Sequence, residues 1–423
     1  MTSVPLKHVA NVIVSNVDKK SSECELPVRL CNYTDVYYHE RITPDLPFME
    51  ATATKDQVVR FGLRAGDVLI TKDSETADDI AVPAYVTQDL PNVVCGYHLA
   101  ILRPHSNVDG RYLFWALSST PCRQQFSVSA SGVTRFGLRY ETFRDVLVPL
   151  PSMLQQRVIA DYLDAETARI DTLIERKQRL IALVCERAEV RQELLATGRS
   201  LQARLRPSGY GWLGDIPQSW RVVRLKFYAR LESGHTPSRT RPELWENCTI
   251  PWVTLNDVGY LETHEWVEET TNLVSEQGLA NSSARVLPPG TVILSRDATV
   301  GRCGILARPM ATSQHFADWI CNDQVRPRYL WLLFRTALQK HFASLTDGAT
   351  LRTIGMPDIG QLIIPLPTLD EQDAIVEKAE RVRLRASEAA RALGRQISLL
   401  AERRQALITA AVSGELDVPG LAA

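Results

Sequence analysis

The sequence predicts an α+β protein in which two mixed α/β globular segments are separated by two long helices that pair as an antiparallel coiled coil. Three observations support this fold class. The chain repeats one series of motifs, each copy contains short β-branched runs, and each copy ends in a long helical segment. A chain of 423 residues with 45% hydrophobic and 23% charged residues is long enough and ordinary enough in composition for several folded domains.

An internal repeat determines the organisation of the chain. Three pairs of similar segments occur in the same order and at nearly constant separation: GDVLITKD (66–73) with GTVILSRD (290–297), RYLFWAL (111–117) with RYLWLLF (328–334), and VPLPSMLQQ (148–156) with IPLPTLDEQ (364–372). Self-similarity of this kind predicts one structural unit that is present twice.

Each globular segment is predicted to combine strands with at least one helix. GDVLI and GTVIL are short apolar runs opened by glycine, which is typical of buried strands after a turn. LPNVVCGYHLAIL (90–102) and VGRCGILA (300–307) also have the composition of strands. RPHSNVDGRYLFWALSS predicts a loop and then a helix, with Asn107 or Asp109 as its N-cap, and VRPRYLWLLFRTALQKHF repeats that pattern.

Two segments without internal proline are predicted as long helices, from Gln155 to about Ala196 and from Asp370 to about Val412. Their apolar residues recur at spacings of three, four or seven, which indicates the seam of a coiled coil. The predicted seam residues are Ile159, Leu163, Ile170, Leu173, Leu180 and Val184 in the first helix, and Ile375, Val382, Leu393, Ile397, Leu400 and Leu407 in the second. Because a globular segment lies between the helices along the chain, antiparallel pairing is the simplest geometry.

These patterns divide the chain into five segments. They are a globular segment (1–150), a long helix (151–208), a second globular segment (209–366), a second long helix (367–415) and a C-terminal tail (416–423). Trp212 and Trp220 lie in the turn-rich start of the second globular segment, and packing is their expected role.

Charge, cysteine content and motifs exclude several classes of protein. A net charge of −1 excludes a wholly basic nucleic-acid coat but allows a local DNA-binding face. The eight cysteines include no C-x2-C pair, so neither a zinc site nor a disulfide scaffold is predicted. The sequence contains no nucleotide-binding, methyltransferase or hydrolase motif, and therefore no catalytic residue, metal site or cofactor site is expected. Neither a signal peptide nor a membrane span is expected, which favours a cytoplasmic protein.

The order of globular segment, Pro-Leu-Pro, glutamine and long helix, present twice, resembles the specificity subunit of Type I restriction-modification systems over nearly the whole chain. The residues that carry the resemblance are Pro149-Leu150-Pro151 with Gln155-Gln156-Arg157, and Pro365-Leu366-Pro367 with Glu371-Gln372. GWLGDIPQSWRVVRL (211–225) is similar to the start of a target-recognition domain of that family, and ERRQALITAAVSGELDV (402–418) is similar to the end of its second conserved helix. The first copy departs from the pattern because it begins without a Trp-Leu-Gly-x-Ile-Pro start.

The resemblance implies that each globular segment is a target-recognition domain for one half of an asymmetric, bipartite site on double-stranded DNA. It implies that the helices carry two methyltransferase subunits, which bind S-adenosylmethionine and methylate adenine N6, and that separate restriction subunits supply translocation and cleavage. This chain would bind no cofactor itself. Deleting about seven residues within 165–195 is expected to change the preferred spacer between the half-sites, because seven residues make about two helical turns. The sequence is compatible with a system that defends against phage and with one that only methylates DNA.

Basic and polar residues near the repeated motifs are candidates for DNA contact, because arginine and lysine bind guanine or phosphate. The candidates are Lys72, Arg135, Arg296 and Arg352, with Ser295, Thr350, Asn256, Asp257, Thr312 and Gln314 as weaker ones. His98 and His315 also occur in equivalent places, although a buried, hydrogen-bonded histidine is the more common role for such residues.

Two alternatives stay open at the level of sequence. A coiled-coil scaffold or adaptor that binds only proteins would also have partners on its helices. A swap of residues 209–366 distinguishes the two interpretations, because loss of DNA-sequence preference after the swap would argue against the scaffold. An uncharacterised enzyme would need a pocket with convergent polar groups in each globular segment.

Overall fold

The computed structural model describes residues 2–346 and 352–421 of the chain. The chain divides into two units, the first made of Met1–Gln178 with Gly394–Ala423 and the second of Arg179–Leu393. Each unit therefore holds one globular segment together with about half of each long helix. The segment boundaries proposed from the sequence stay predictions.

Short strands and helices make up the first globular segment, and a long helix follows it. The strands are β1 (Ser3–Pro5), β2 (Ala10–Val14), β3 (Leu26–Cys31), β4 (Arg41–Ile42), β5 (Met49–Ala53), β6 (Val68–Thr71), β7 (Asp73–Ser74), β8 (Pro83–Val86), β9 (Val93–Cys95), β10 (Leu99–Pro104), β11 (Phe136–Gly137) and β12 (Leu147–Pro149). The helices are α1 (Tyr33–Tyr38), α2 (Lys55–Phe61), α3 (Gly110–Ser118), α4 (Thr120–Ser129), α5 (Tyr140–Asp145) and the long α6 (Met153–Ala196).

The second globular segment is built in the same way. Its strands are β13 (Leu205–Pro207), β14 (Asp215–Pro217), β15 (Arg221–Arg224), β16 (Ala229–Ser233), β17 (Ile250–Val253), β18 (Trp266–Val267), β19 (Asn272–Val274), β20 (Val292–Ser295), β21 (Cys303–Leu306), β22 (Ala311–Thr312), β23 (Phe316–Cys321) and β24 (Ile363–Leu366). Its helices are α7 (Val258–Leu261), α8 (Glu276–Ala280), α9 (Pro327–Arg335), α10 (Gln339–Ser344) and α11 (Met356–Ile359), and the long α12 (Leu369–Ser413) follows.

Strand order is the same in the two units. The central sheet is ordered β2-β10-β6-β8-β4 in the first unit and β16-β23-β20-β21-β18 in the second. In each order the last pair is parallel and the other pairs are antiparallel. A three-stranded sheet accompanies each central sheet, ordered β5-β3-β9 and β19-β17-β22. The shared topology confirms the prediction of one structural unit present twice and the α+β fold class.

The central strand of each unit is buried on both faces. In β6, Ile70 packs into the cluster that contains the aromatic residues of α3, whereas Leu69 packs into a cluster on the opposite face. In β20, Leu294 shares a cluster with α9, and Ile293 packs into a different one. Burial on both faces explains why GDVLI and GTVIL are apolar runs without alternation.

Helix α3 begins at one of the two predicted caps. The Asp109 carboxylate accepts hydrogen bonds from the backbone N–H groups of Arg111 (2.9 Å) and Tyr112 (3.2 Å). These bonds satisfy donors that a helix start leaves without partners. Asp109 rather than Asn107 is therefore the N-cap.

The two long helices begin with matched capping boxes. Gln155 Oε1 accepts from the Ser152 N–H at 3.1 Å, and Ser152 Oγ accepts from the Gln155 N–H at 3.4 Å. Thr368 and Glu371 form the same reciprocal pair at the start of α12, at 2.8 and 3.4 Å. The helices contain 44 and 45 residues, which confirms the two long helices expected from the sequence.

The two tryptophans at the start of the second globular segment have packing roles, as predicted. Trp220 is buried, and its Nε1–H donates to Glu371 Oε1 at 3.2 Å. The Trp212 ring stacks on His341 with ring centres 5.2 Å apart. Among the described residues, no helix is both long and apolar enough to span a membrane.

Candidate nucleic-acid interface

Each unit has an aspartate and a histidine side by side where its central strand ends. Asp73 follows β6 closely and Asp297 follows β20, while His98 and His315 directly precede β10 and β23. Because β6 pairs with β10 and β20 pairs with β23 in antiparallel register, each histidine is brought to its aspartate. We call these two groups the Asp–His pairs.

In the first unit, one carboxylate holds two basic side chains. His98 Nδ1 lies 2.7 Å from Asp73 Oδ2, and Lys72 Nζ lies 3.0 Å from the same oxygen. Because a carboxylate only accepts, His98 donates through Nδ1–H, and Nε2 is the remaining ring nitrogen. The Lys72 ammonium group also lies 4.4 Å from the centre of the Tyr97 ring, within the range of a cation–π contact.

The second Asp–His pair has the same core and different neighbours. His315 Nδ1 lies 2.8 Å from Asp297 Oδ2, and the other carboxylate oxygen accepts from the Thr353 hydroxyl. Gln314 precedes His315 as Tyr97 precedes His98. The side-chain oxygen of Gln314, Oε1, accepts a hydrogen bond from the Thr236 hydroxyl at 2.5 Å, which fixes the side-chain amide beside the histidine ring.

Arg296 and Ser295, two predicted DNA contacts, have partners inside the unit. The Arg296 guanidinium donates to the backbone carbonyls of Gln314 (3.1 Å) and Ile354 (3.0 Å). Ser295 is fully buried, and its hydroxyl donates to the backbone carbonyl of Asp297 at 3.2 Å. Both residues therefore stabilise the loops around the second Asp–His pair, unlike Lys72, which bonds with side chains.

The other predicted DNA contacts lie near the same two places. Arg135 is exposed and lines a groove that also contains Asp73. Arg352 is exposed, and its backbone carbonyl accepts from the Ala298 N–H at 2.9 Å. Thr350 lies outside the described residues. As DNA contacts, the six main candidates stay predictions: Lys72, Arg135, Arg296, Arg352, Ser295 and Thr350.

Two of the weaker candidates are structural. Asp257 is buried and accepts from two backbone N–H groups at 2.8 and 2.7 Å. Thr312 is buried and donates to Asp318 at 2.5 Å. Burial raises the pKa of Asp318 to about 8. Asn256, in contrast, is exposed.

A group of tyrosines beside the first Asp–His pair was missed by the reasoning from sequence. Tyr33 stacks on Tyr37 with ring centres 5.4 Å apart, and the Tyr37 hydroxyl donates to the Asp79 carboxylate. That hydrogen bond and the charge of the carboxylate raise the pKa of Tyr37 to about 12, so the hydroxyl keeps its proton. The aromatic run YTDVYY (33–38) is the signal that could have indicated this group.

The long helices pack against each other within each unit. The contacts are Arg404–Asp171 (2.9 Å) and Lys177–Gln396 (2.6 Å) in the first unit, and Gln192–Ala379 (3.1 Å) in the second. In the first unit the residue number rises along one helix as it falls along the other, as antiparallel pairing requires.

Most of the predicted seam residues are buried or half-buried. They are Ile159, Leu163, Ile170, Val184, Ile375, Val382, Leu393, Ile397, Leu400 and Leu407. Leu173 and Leu180 differ from the prediction, because they are 44% and 46% exposed. The seam passes through Thr167, Ile174 and Lys177 instead. Two of these residues are polar, so the spacing of apolar residues does not indicate this part of the seam. As contacts for another chain, Leu173 and Leu180 stay predictions.

Comparison with known proteins agrees with the duplicated fold. Residues 217–388 match the family model described as the Type I restriction modification DNA specificity domain. The chain is 29% identical over 164 residues to the Type I restriction enzyme MjaIX specificity subunit of Methanocaldococcus jannaschii, and the match covers 38% of each chain. Identity to the Type I restriction enzyme EcoKI specificity subunit of Escherichia coli K12 is 20% over 396 residues, or 88% of this chain and 79% of the relative.

A solved structure has the same fold along the whole chain. One chain from a structural study of complex assembly and conformational transition in the type I R-M system matches with a TM-score of 0.69 at 20% identity, and the match covers 98% of both chains. At this identity the likeness concerns the fold. The family model, the relatives and the shared fold together confirm that this chain resembles the specificity subunits of Type I restriction-modification systems over nearly its whole length.

Proposed function

We propose that this chain is the DNA sequence-recognition subunit of a Type I restriction-modification complex. Each unit recognises one half of an asymmetric, bipartite site on double-stranded DNA. The observation that carries the proposal is that one strand order and one Asp–His pair occur twice, while the side chains around the pair differ. Tyr97 stands in the first unit where Gln314 stands in the second. One scaffold with two different sets of side chains suits two different half-sites.

The chemistry around each Asp–His pair fits contact with DNA. Lys72 supplies a positive charge for a phosphate or a guanine edge, and an amide such as that of Gln314 can form paired hydrogen bonds with adenine. His98 keeps Nε2 as a further polar atom, whereas His315 Nε2 lies 3.4 Å from the Gln314 side-chain nitrogen. Because carboxylates already hold these basic groups in place, little side-chain entropy is lost on binding.

Charge indicates that the chain binds DNA together with other subunits. Its net charge is −1, whereas binding to the phosphate backbone depends on an excess of lysine and arginine. Two methyltransferase subunits supply much of the phosphate contact in this proposal. They also bind S-adenosylmethionine and methylate adenine N6, while this chain contributes no catalytic residue and acts in the cytoplasm.

The long helix α6 offers a surface for such a subunit. Leu180, Leu183 and Val190 are 46%, 59% and 50% exposed, and their spacing places them on one face of the helix. Exposed large apolar residues in a row are typical of a surface that another chain covers. We assign this face to the methyltransferase subunits, through which the restriction subunits join the complex.

The methylome of cells that express this chain tests the proposal. The chain is produced with its methyltransferase subunit in a host that lacks adenine methylation, and long-read sequencing locates the modified adenines. We expect a split, asymmetric motif that disappears when this chain is omitted. Replacing residues 209–366 with the equivalent segment of a relative should change one half of the motif and leave the other half unchanged.

The scaffold alternative predicts a different result. It explains the long helices but gives no role to the side chains that differ around the Asp–His pairs. A stable complex of the two proteins that leaves the DNA unmodified and binds it without sequence preference would contradict recognition by this chain.

A further inference from the structure

A buried glutamine joins each globular segment to the start of the long helix that follows it. Gln156 and Gln372 are 1% and 0% exposed and occupy equivalent places in the repeated motif. We propose that these two junction glutamines are positioning residues. They fix the orientation of each globular segment on its helix and thereby limit the spacer lengths that the protein accepts between two half-sites. The inference rests on the proposed function in DNA recognition.

Gln156 uses both ends of its amide. Its Oε1 accepts from the backbone N–H of Asp109 at 2.8 Å. Its Nε2 donates to the backbone carbonyls of Asn107 (3.2 Å) and Pro151 (2.9 Å). Asn107 and Asp109 belong to the turn before α3, and Pro151 belongs to the turn before α6. One side chain therefore ties the globular segment, the proline turn and the long helix together.

Gln372 repeats this arrangement atom for atom. Its Oε1 accepts from the backbone N–H of Arg326 at 2.8 Å, and its Nε2 donates to the carbonyls of Gln324 (3.0 Å) and Pro367 (3.1 Å). The three partners stand at positions equivalent to those around Gln156. The same pattern of three hydrogen bonds at two junctions whose surroundings differ indicates a shared role at the junction.

The other polar contacts across the first junction are less restrictive. Trp115 Nε1–H and Arg111 donate to Asp164 at 2.9 and 3.2 Å, and Arg111 also donates to Asp161 at 2.7 Å. These contacts join side chains to side chains, and Arg111, Asp161 and Asp164 are partly exposed. A long side chain can change rotamer and keep an ion pair while the segment tilts, and exposed ion pairs contribute little stability. Three bonds from a buried amide to backbone atoms do not survive a tilt. Loss of the amide therefore leaves the segment attached but freer to turn.

The neighbouring glutamine provides a matched control. Gln155 precedes Gln156 directly, but its side-chain oxygen accepts hydrogen bonds from Ser152 at the start of the same helix. Substituting Gln155 thus weakens a cap without touching the contact between segment and helix. Methionine is the replacement of choice at both positions, because it has a similar length and volume and forms no such hydrogen bonds.

The test measures spacer preference in the full complex. The full-length chain with its methyltransferase subunit acts on a DNA library in which the two half-sites of the wild-type motif are separated by spacers of different length. We expect the wild type and Gln155→Met to methylate one spacer length strongly. For Gln156→Met and Gln372→Met, we expect the preference for that length over its neighbours to fall about tenfold, the scale of one or two net hydrogen bonds.

Each outcome bears on one proposal. Weaker methylation at every spacer with an unchanged preference would overturn the junction role, because it would mean that the glutamines only stabilise the fold. Hydrogen exchange at the Asp109 and Arg326 amides verifies that the bond was lost in a folded protein. If a methionine variant does not fold, asparagine, which keeps the amide on a shorter side chain, takes its place. A wild-type complex that methylates no bipartite motif would contradict the proposed function itself.

Discussion

The two units place the same Asp–His pair at the end of the same strand and surround it differently. In the first unit, Lys72 and Tyr97 contact the pair. In the second unit, the corresponding arginine, Arg296, is hydrogen-bonded to loop carbonyls, and Gln314 adjoins the histidine. Strand order and the Asp–His pair are therefore common to both units, whereas the residues beside the pair distinguish the units.

A second difference lies inside the sheets. Asp318 of β23 stands where the first unit has Ile101 in β10, as the register with the central strand shows. Its partner Thr312 stands where the first unit has Cys95. The same scaffold therefore accepts either an apolar pair or a buried polar pair, so the two units should differ in their response to pH as well as in recognition.

Removing one heptad from each long helix has the largest expected effect. Deleting residues 180–186 together with 387–393 shortens both helices by about 10 Å, which is close to three base pairs. We expect the original spacing to be lost and a shorter spacer to be methylated, with both half-sites unchanged. Sequencing of the methylated DNA measures this, and an unchanged spacer would contradict a spacing role of the helices.

Asp164 joins the long helix α6 to the globular segment of the first unit through more contacts than its counterpart Glu380 makes in the second unit. Its carboxylate accepts from Trp115 Nε1–H at 2.9 Å and also pairs with Arg41 and Arg111. Asp164→Ala leaves these donors without that partner, so the free energy of unfolding of the first unit should fall by about 2 kcal/mol. Hydrogen-exchange protection in α3 measures the change.

The matched variant in the second unit is Glu380→Ala. Glu380 lies on α12 and accepts from Arg328 at 3.0 Å, but its side chain is more exposed. An exposed ion pair contributes less than about 1 kcal/mol, so α9 should lose little protection. Equal losses in α3 and α9 would mean that the two units are held to their helices equally.

The sequence predicted features that depend on local pattern. The repeat, the long helices and the Asp109 cap follow from motifs, periodicity and capping chemistry within a few residues. The Asp–His pairs were not predicted, because His98 and His315 reach their aspartates only through the pairing of strands that are distant in sequence. The apolar spacing predicts Leu180 in the seam, but the seam itself contains polar residues that apolar spacing does not reveal.

Alanine variants of the two histidines test whether each unit recognises its own half-site. We expect His98→Ala to weaken discrimination at one half-site and His315→Ala at the other, each by about tenfold, the lower range for one base contact. His105→Ala is the control, because this exposed histidine bonds with His8 and Asn11 away from the Asp–His pair. Methylation of half-site variants measures the effect, and uniform weakening at both half-sites would speak against separate recognition.

The buried Asp318 predicts a pH dependence of stability that is specific to the second unit. Burial raises the pKa of Asp318 to about 8, with the nearby Glu232 carboxylate adding to the shift, whereas an aspartate in the unfolded chain ionises near pH 4. Between these values the folded unit holds a proton that the unfolded chain has released, so stability falls as pH rises from about 4 to about 8. Asp318→Asn, which is neutral at every pH, should flatten the change in the protection of β20 and β23 amides over this range. Glu232→Gln should keep the dependence but end it at a lower pH, and β6 and β10, which have Ile101 at this place, should not show it. An Asn variant with the same pH profile as the wild type would assign the dependence to another group.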